Sequence, residues 1–184
     1  MEGSKDMKAQ PELLQQKFDI RLLGSGDNFS DLTSLLHRAY APLAAQGMRF
    51  LASHQDEATT LSRILKGECW VAIAEGRIVG TIVLKDAQQT RGSPWYDRPE
   101  VACFGQFAVE PACQRHGLGS KLLEWIETRA REKGIVELAL DTAEGAADLI
   151  RFYTRRGYRF IEYTRWDIVN YQSVILSKTL SDAP

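Results

Sequence analysis

The chain has 184 residues, 44% of them hydrophobic and 26% charged, with a formal net charge of −1 at pH 7. This length and composition are typical of one globular domain that folds without disulfides, and the balanced charge gives no reason to expect a nucleic-acid or membrane partner. The three cysteines lack metal-ligand spacing and the N-terminus has no apolar segment, so we expect no metal site, reduced thiols and a cytoplasmic location.

The N-terminal part of the chain divides into a polar segment and the first folded elements. Residues 1–17 are predicted to form a tail, which leaves residues 18–180 as a single domain. A first strand is predicted at 18–23. The first helix is predicted from apolar side chains at helical spacing, which are Leu32, Leu35, Leu36, Ala39 and Tyr40.

Capping and helix-breaking residues set the expected ends of the first two helices. Asp27 or Ser30 is expected to cap the first helix, and Pro42 and Gly47 are expected to end it. A second helix is predicted to begin after a cap at Ser53 and to finish at Gly67, where a C-terminal glycine cap belongs.

Strands are expected to dominate the middle of the chain. The apolar runs 69–75 and 77–84 flank a Glu-Gly turn and predict two neighbouring strands. The segment 85–99 is polar and contains prolines, so it is expected to form a loop. The next apolar run predicts a strand at 101–109.

The second half of the chain alternates between strands and helices. A helix with an apolar stripe is predicted at Leu118, Leu122, Leu123, Ile126 and Ala130. A strand at 135–141, a helix that contains Tyr153, and two strands at 158–166 and 171–180 are expected to follow. The resulting order β-α-α-β-β-β-α-β-α-β-β predicts an α/β fold with one mixed sheet and helices on both faces.

A short glycine-bearing segment lies between the predicted strand 101–109 and the helix that follows it. Residues 114–119 read Gln-Arg-His-Gly-Leu-Gly. The free backbone N–H groups and the positive end of the helix dipole favour a phosphate at such a place. Ser120 and Lys121 come next, so this is not a nucleoside-triphosphate loop, and a single Gly-x-Gly pair does not make a dinucleotide fingerprint.

This segment resembles the coenzyme A loop of the GNAT family of N-acetyltransferases, whose pattern is Gln/Arg-x-x-Gly-x-Gly/Ala after a strand. Downstream, Tyr153-x-x-x-Gly157-Tyr158 is similar to a second family pattern. The resemblance covers roughly residues 18–180. It implies a sheet that splays between its fourth and fifth strands, with the pantetheine arm in the gap and acetyl-coenzyme A (acetyl-CoA) as the acetyl donor. One departure is Ala146, where the family often has an Asn that contacts the cofactor.

The resemblance also implies which residues contact the cofactor. Backbone groups at the end of the fourth strand are expected to pair with the pantetheine arm and to polarise the thioester oxygen, while the loop holds the pyrophosphate. These residues are Phe107, Ala108, Val109, Gln114, Arg115, His116, Gly117, Leu118, Gly119 and Ser120.

Proton transfer needs an acid and a base. Tyr153 is the candidate acid, because a phenol is protonated at pH 7 and can supply a proton to the departing thiolate. Its helical spacing from Leu149 is equally typical of a core residue. The base is left open among Glu110, Asp141, Glu144, His54 and a water chain. Cys113, with a pKa lowered beside a helix N-terminus, is a minor alternative as a covalent nucleophile.

These expectations point to an acetyl-CoA-dependent N-acetyltransferase in which a primary amine attacks the thioester directly. The acceptor is expected to be a small molecule bound near 40–54 and 92–100, and the C-terminal strands are a potential homodimer surface. Two alternatives stay open. One is a non-catalytic acyl-CoA sensor, in which Tyr153 would be dispensable. The other is an unrelated nucleotide-binding domain that shares the loop by coincidence.

Overall fold

The computed structural model describes residues 18–180, so the predicted tail at 1–17 lies outside the described residues. The strands are β1 (Asp19–Leu22), β2 (Glu68–Ala74), β3 (Arg77–Lys85), β4 (Val101–Val109), β5 (Glu137–Ala143), β6 (Arg159–Arg165) and β7 (Gln172–Thr179). The helices are α1 (Phe29–Ala45), α2 (Glu57–Ile64), α3 (Leu118–Glu132) and α4 (Ala147–Thr154), with 3₁₀ turns at Leu51–Ser53 and Pro111–Cys113. The predicted order of elements is confirmed.

The strands form one mixed sheet in the order β1-β2-β3-β4-β5-β7-β6. Neighbouring strands are antiparallel except β4 and β5. Helices α1 and α2 cover one face, where Leu35 and Leu36 pack against Ala108. Helices α3 and α4 cover the other face, where Leu122, Ile126 and other apolar side chains form the largest core cluster. The predicted α/β class, with helices on both faces, is therefore confirmed.

The sheet opens between β4 and β5. These strands pair in parallel only where Val101–Cys103 faces Glu137–Ala139. Beyond that point β4 continues to Val109 and β5 continues to Ala143, but within the described chain no further pairing joins them. The backbone of residues 104–109 is therefore open on the side that faces β5, as the expected splay requires.

A bulge lies in the open part of β4. Thr81 pairs with Ala108 and Val83 pairs with Gly105, so two residues of β4 stand opposite Ile82 of β3. One of the two, Gln106, has φ of 49°, in the left-handed region that a side chain rarely adopts. A bulge of this kind bends a strand and turns its side chains in new directions.

The cap predicted for α1 was wrong, and of the two residues predicted to end the helix, Gly47 lies just beyond its end whereas Pro42 lies inside it. Asn28 is the cap, and its Oδ1 accepts a 2.9 Å hydrogen bond from the Ser30 N–H. The helix passes through Pro42 and continues to Ala45. Proline removes one backbone hydrogen bond, but Leu43, in the turn beyond it, packs into a cluster with Phe50, and this packing favours the longer helix.

The ends of α2 also differ from the prediction. Asp56 caps the helix through a 2.7 Å bond from the Thr59 N–H, whereas Ser53 lies in the preceding 3₁₀ turn. The helix ends at Ile64. Gly67 has a different role from the predicted cap, because a Cβ there would lie 2.1 Å from the carbonyl oxygen of Leu84. A glycine is needed for this close approach of two backbones.

An ion-pair cluster joins β2 to α3, and we expect it to make the stability of the protein depend on pH. Glu68 accepts bonds from Arg129 Nε at 2.8 Å and Lys133 Nζ at 2.7 Å. Its hydrogen bond with Arg129 is the largest effect that lowers the pKa of Glu68, from 4.5 to about 2. Because the folded pKa lies below the unfolded value, the stabilisation is present above about pH 4.5 and is lost as the pH falls toward 2.

The Glu68→Gln variant should therefore be less stable than the wild type at pH 7 by about 1 kcal/mol, since the pair is partly screened by solvent. The difference in free energy of unfolding should shrink on acidification, and urea titrations between pH 7 and pH 3 measure it. Glu132→Gln is the matched control, because Glu132 contacts the same Arg129 with a side chain that is 58% exposed. A Glu68→Gln difference that does not change with pH would contradict the argument.

Candidate active site

A cleft of about 1020 Å³ opens where β4 and β5 separate. Its walls come from α1, the end of β4, the loop before α3, and α4. Nine of the residues predicted from the sequence line it, namely Phe107, Ala108, Val109, Gln114, Arg115, Gly117, Gly119, Ser120 and Tyr153. The structure thus brings the glycine loop, the open edge of β4 and the candidate acid to one cleft.

The glycine loop presents backbone N–H groups at the start of α3. Gly117 precedes the helix with φ of 85°, and no side chain caps it. The first bond of the helix runs from the Lys121 N–H to the Gly117 carbonyl at 3.0 Å. The N–H groups of the preceding turn have no acceptor within the helix. With Arg115 also at positive φ, the loop has the local geometry of an anion-binding nest.

The loop is held against β4 and leaves space beside it. Gln114 Nε2 donates a 3.0 Å hydrogen bond to the Val109 carbonyl, which joins the loop to the strand. A Cβ added at Gly119 would meet nothing nearer than the Phe107 ring at 3.7 Å. The protein alone therefore has room for a side chain at Gly119, and the cleft in front of it is free to receive a ligand.

Arg156 was not predicted as a site residue, although it lines the same cleft. Its guanidinium lies 3.7 Å from the centre of the Phe152 ring and donates hydrogen bonds to the Phe152 carbonyl and to Ser120 Oγ. The structure thus adds a fixed positive charge beside the loop. The only sign of it in the sequence was a pair of arginines inside the Tyr153 pattern.

Tyr153 belongs to the core and also reaches the cleft. Its ring packs in the core against Phe104 and Tyr158, with centroids 6.0 Å and 5.9 Å away, and its side chain is 6% exposed. It also lines the cleft. Burial, followed by the charges of Tyr40 and Asp141, raises the pKa of Tyr153 well above 10. The phenol therefore keeps its proton at pH 7.

Two predicted cofactor residues do not line the cleft. His116 is turned back on its own loop, with Nδ1 2.7 Å from the Gln114 carbonyl oxygen. The side chain of Leu118 is fully buried in the core under α3. A contact between a ligand and the backbone N–H of either residue stays a prediction.

The four candidate bases lie outside the cleft lining. Glu110 forms an ion pair with Arg38 at 2.7 Å, His54 lies beside Ser53, and Glu144 is exposed. Asp141 accepts hydrogen bonds from Tyr96 Oη at 3.1 Å and Trp166 Nε1 at 3.0 Å.

Asp141 differs from the other three candidate bases because its charge affects side chains that line the cleft. Burial is the largest effect that raises the pKa of Tyr40 and of Tyr153, which line the cleft, and the charge of Asp141 adds to it in both cases. It also lies on β5 beyond the last residue pair with β4, where the sheet is open. Of the four candidates, Asp141 is thus the one whose charge acts on the cleft.

The structure argues against Cys113 as a nucleophile, because its thiol is buried and has a raised pKa. Cys113 is 6% exposed and packs in the core. Burial, followed by the charge of Glu110, raises the pKa of this thiol instead of lowering it. A buried thiol with a raised pKa is a poor nucleophile.

Neither membrane-spanning nor metal-binding features are found in the part of the chain that the structure describes. Within residues 18–180 no helix combines the length and apolar character that a membrane span needs. In the same residues, no three His, Cys, Asp or Glu side chains come together as ligands for a metal ion.

A mixed sheet that opens between two parallel strands, beside an anion-binding loop at a helix N-terminus, defines the class of acyltransferases that bind acyl-CoA. The sequence model of the Acetyltransferase (GNAT) family matches residues 31–158. The chain belongs to this family and is an N-acetyltransferase that uses acetyl-CoA as its acetyl donor.

Two characterised relatives are similar in sequence. S-(2-succino)cysteine N-acetyltransferase of Bacillus subtilis is 37% identical over 132 residues, which cover 69% of this chain and 76% of the relative. Aminoalkylphosphonate N-acetyltransferase of Salmonella typhimurium is 30% identical over 89 residues, which cover 48% of this chain and 54% of the relative.

Solved structures share the fold at low sequence identity. The ribosomal-protein-S18-alanine N-acetyltransferase of Escherichia coli has a TM-score of 0.69 and 20% identity, with 91% of this chain and 97% of that chain covered. A GNAT family acetyltransferase of Elizabethkingia anophelis with acetyl-CoA bound has a TM-score of 0.63 and 19% identity, with 89% and 98% covered.

Proposed function

We propose that the protein transfers the acetyl group of acetyl-CoA to the primary amine of a small acceptor, by direct attack of the amine on the thioester. The observation that carries this proposal is the convergence of the glycine loop, the unpaired edge of β4 and the Tyr153 side chain in one cleft. A non-catalytic acyl-CoA sensor would need the first two features but would have no use for the phenol.

The charges at one end of the cleft fit the diphosphate of coenzyme A. The free N–H groups before Lys121 and the positive end of the α3 dipole attract an anion. The guanidinium of Arg156 adds a full charge at Ser120, on the same turn. We propose that Gln114–Gly119 and Arg156 together hold the diphosphate.

The open edge of β4 fits the next part of the cofactor. Phe107, Ala108 and Val109 line the cleft at the place where β5 no longer pairs with β4. An amide-bearing arm in the gap would satisfy the backbone groups that a fifth strand would otherwise pair. A backbone N–H of this segment directed at the thioester oxygen would hold the negative charge that develops during attack.

Acetyl-CoA supplies a thioester whose carbonyl carbon accepts the nitrogen of a neutral amine. As the C–N bond forms, the amine must lose a proton, and as the C–S bond breaks, the thiolate must gain one. Tyr153, neutral at pH 7, donates the second proton. For the first we favour Asp141, directly or through water, because its charge acts on the cleft.

The names of the two relatives support an acceptor that carries acidic groups. S-(2-succino)cysteine bears carboxylates, and aminoalkylphosphonates bear a phosphonate, and both are small amines. The panel for the test therefore holds S-(2-succino)cysteine, S-carboxymethylcysteine, aspartate, 2-aminoethylphosphonate and putrescine, with the carboxamide of each carboxylic acid.

The test has two parts. Thermal unfolding with acetyl-CoA at about 100 times its Kd should raise the Tm by several degrees, while ATP and NAD should not. Thiol release should then depend on one of the panel amines, and mass spectrometry should find that amine acetylated. Binding of acetyl-CoA without turnover of any panel amine would contradict the proposed small acceptor.

A further inference from the structure

Arg63 of α2 is a mostly buried cation without an acidic partner. No carboxylate in residues 18–180 forms a salt bridge with it, whereas the more exposed Arg129 and Arg159 are paired with glutamates. Within the described residues its one hydrogen bond runs from Nη1 to Gln55 Oε1 at 2.8 Å. A guanidinium has five N–H donors, and a buried charge without a counter-charge costs free energy.

The partner of Arg63 is fixed in position by a buried polar network. Gln55 is 2% exposed, and its Nε2 donates to Thr60 Oγ1 at 2.7 Å and to Gln106 Oε1 at 3.2 Å. These two bonds orient the amide so that its oxygen faces Arg63. The guanidinium is therefore held in place before any ligand arrives, which reduces the entropy lost on binding.

A second unpaired donor belongs to the same network. Gln106 is 5% exposed, and its Nε2 is buried with no hydrogen-bond partner among residues 18–180. Its backbone has the positive φ of the β4 bulge. Strained backbone and an unsatisfied buried donor at one residue both cost stability and are typical of a binding site.

Arg63, Gln55 and Gln106 do not line the cleft themselves, but Gln106 is joined to a residue that does. Gln106 precedes Phe107, whose carbonyl accepts a 3.0 Å bond from Tyr40 Oη, and both Phe107 and Tyr40 line the cleft. Burial lowers the pKa of Arg63, while the charges of Tyr40, Asp141 and Tyr171 act in the opposite direction. The charge of Asp141 thus acts on Arg63, and Asp141 itself lies on β5 beyond the last residue pair with β4.

We propose that Arg63 and the Nε2 group of Gln106 form a subsite for a carboxylate of the acceptor, and that Asp141 attracts the ammonium group of the same molecule. The acceptor is accordingly an amino acid or a related amine that bears a carboxylate. A carboxylate would pair the buried guanidinium and would accept from the free amide donor. This inference rests on the proposed function and assigns the charge recognition of its second substrate.

The test compares each carboxylic acid of the panel with its carboxamide, which has nearly the same shape but no charge. The wild type should have a KM for the acid at least about tenfold lower than for the carboxamide. Arg63→Gln should remove this preference by raising the KM for the acid, with the KM for acetyl-CoA unchanged. Arg63→Lys keeps the charge without the planar fork and should restore part of the preference.

Arg77→Gln is the matched control, because Arg77 is exposed at the start of β3, away from the cleft, and its loss changes the net charge equally. It should leave the preference intact. An unchanged ratio of the two KM values in Arg63→Gln, or a wild type without preference for the acid, would overturn the subsite while the acetyltransferase function stands. If Arg63→Gln does not fold, Arg63→Lys replaces it, and its preference for the acid should then lie below that of the wild type.

Failure of the proposed function would be distinguished by binding. If the wild type acetylates no amine of the panel, thermal unfolding of the complex with coenzyme A is measured with S-(2-succino)cysteine and with its carboxamide. A Tm rise with the acid that is lost in Arg63→Gln would support the subsite without the reaction. No Tm rise in the wild type would overturn both proposals.

Discussion

The Tyr153→Phe variant is expected to lose about 100- to 1000-fold in kcat, because it removes only the hydroxyl that we propose as the proton donor to the thiolate. The ring packs against Phe104 and Tyr158, and Phe preserves that packing. The Kd for acetyl-CoA and the Tm should therefore stay close to the wild-type values. Steady-state thiol release and a cofactor titration measure the two quantities separately.

Tyr158→Phe is the control for this experiment. Tyr158 is 1% exposed, donates a 3.1 Å hydrogen bond to Glu127 Oε1 and does not line the cleft. Its loss of a buried hydroxyl should lower stability by about 1–3 kcal/mol and leave kcat unchanged. A Tyr153→Phe enzyme with wild-type kcat would remove Tyr153 from the mechanism. The pKa of Tyr153 lies well above 10, so its deprotonation should not lower kcat between pH 7 and 9.

Gly119→Ala is expected to weaken acetyl-CoA binding by about 10- to 100-fold without unfolding the protein. The new Cβ would lie at ordinary contact distance from Phe107, Val109 and Phe152, at 3.7, 3.8 and 3.9 Å. Alanine is also a better helix former than glycine. The variant should therefore fold. Its added methyl group would occupy space at the loop where we propose that the diphosphate lies, and this should weaken binding. Calorimetric titration with acetyl-CoA measures the change in Kd.

Gly134→Ala is the control, because it should lower the stability of the protein without changing its affinity for acetyl-CoA. Gly134 follows the end of α3 with φ of 70°, where alanine is strained although no atom lies within 4 Å of a Cβ. This variant should lose about 1 kcal/mol of stability and keep the wild-type Kd. If Gly119→Ala bound acetyl-CoA as tightly as the wild type, the diphosphate would have to lie elsewhere.

The fold was predicted from the local spacing of apolar residues along the chain. Alternating and helical periodicities gave the element order, and the run at 101–109 matches β4 at both ends. The prediction that Pro42 ends α1 was wrong, because tertiary packing of Leu43 outweighs the local cost of the proline. The role predicted for Gly67 was wrong for a similar reason, since its backbone lies close to that of Leu84, which is far from it in the sequence.

The candidate site was predictable where it is made from contiguous backbone. The anion-binding loop could be recognised because its pattern lies within six consecutive residues, from Gln114 to Gly119. Arg63 and Gln106 carry no such signal, because they are separated in the chain and meet only through Gln55. The unpaired state of a charge depends on every side chain around it, so periodicity and spacing cannot reveal it.

Three residue pairs carry the whole β4–β5 ladder in the described chain, so the sheet consists of two wings joined at a narrow waist. Strands β1–β4 form one wing and β5–β7 the other. Bending at the waist breaks few backbone hydrogen bonds, and what resists it is the side-chain core under α3 and α4. A molecule seated in the gap would act as a brace between the wings. The same opening that admits the donor would thereby make the rigidity of the enzyme depend on its own substrate supply.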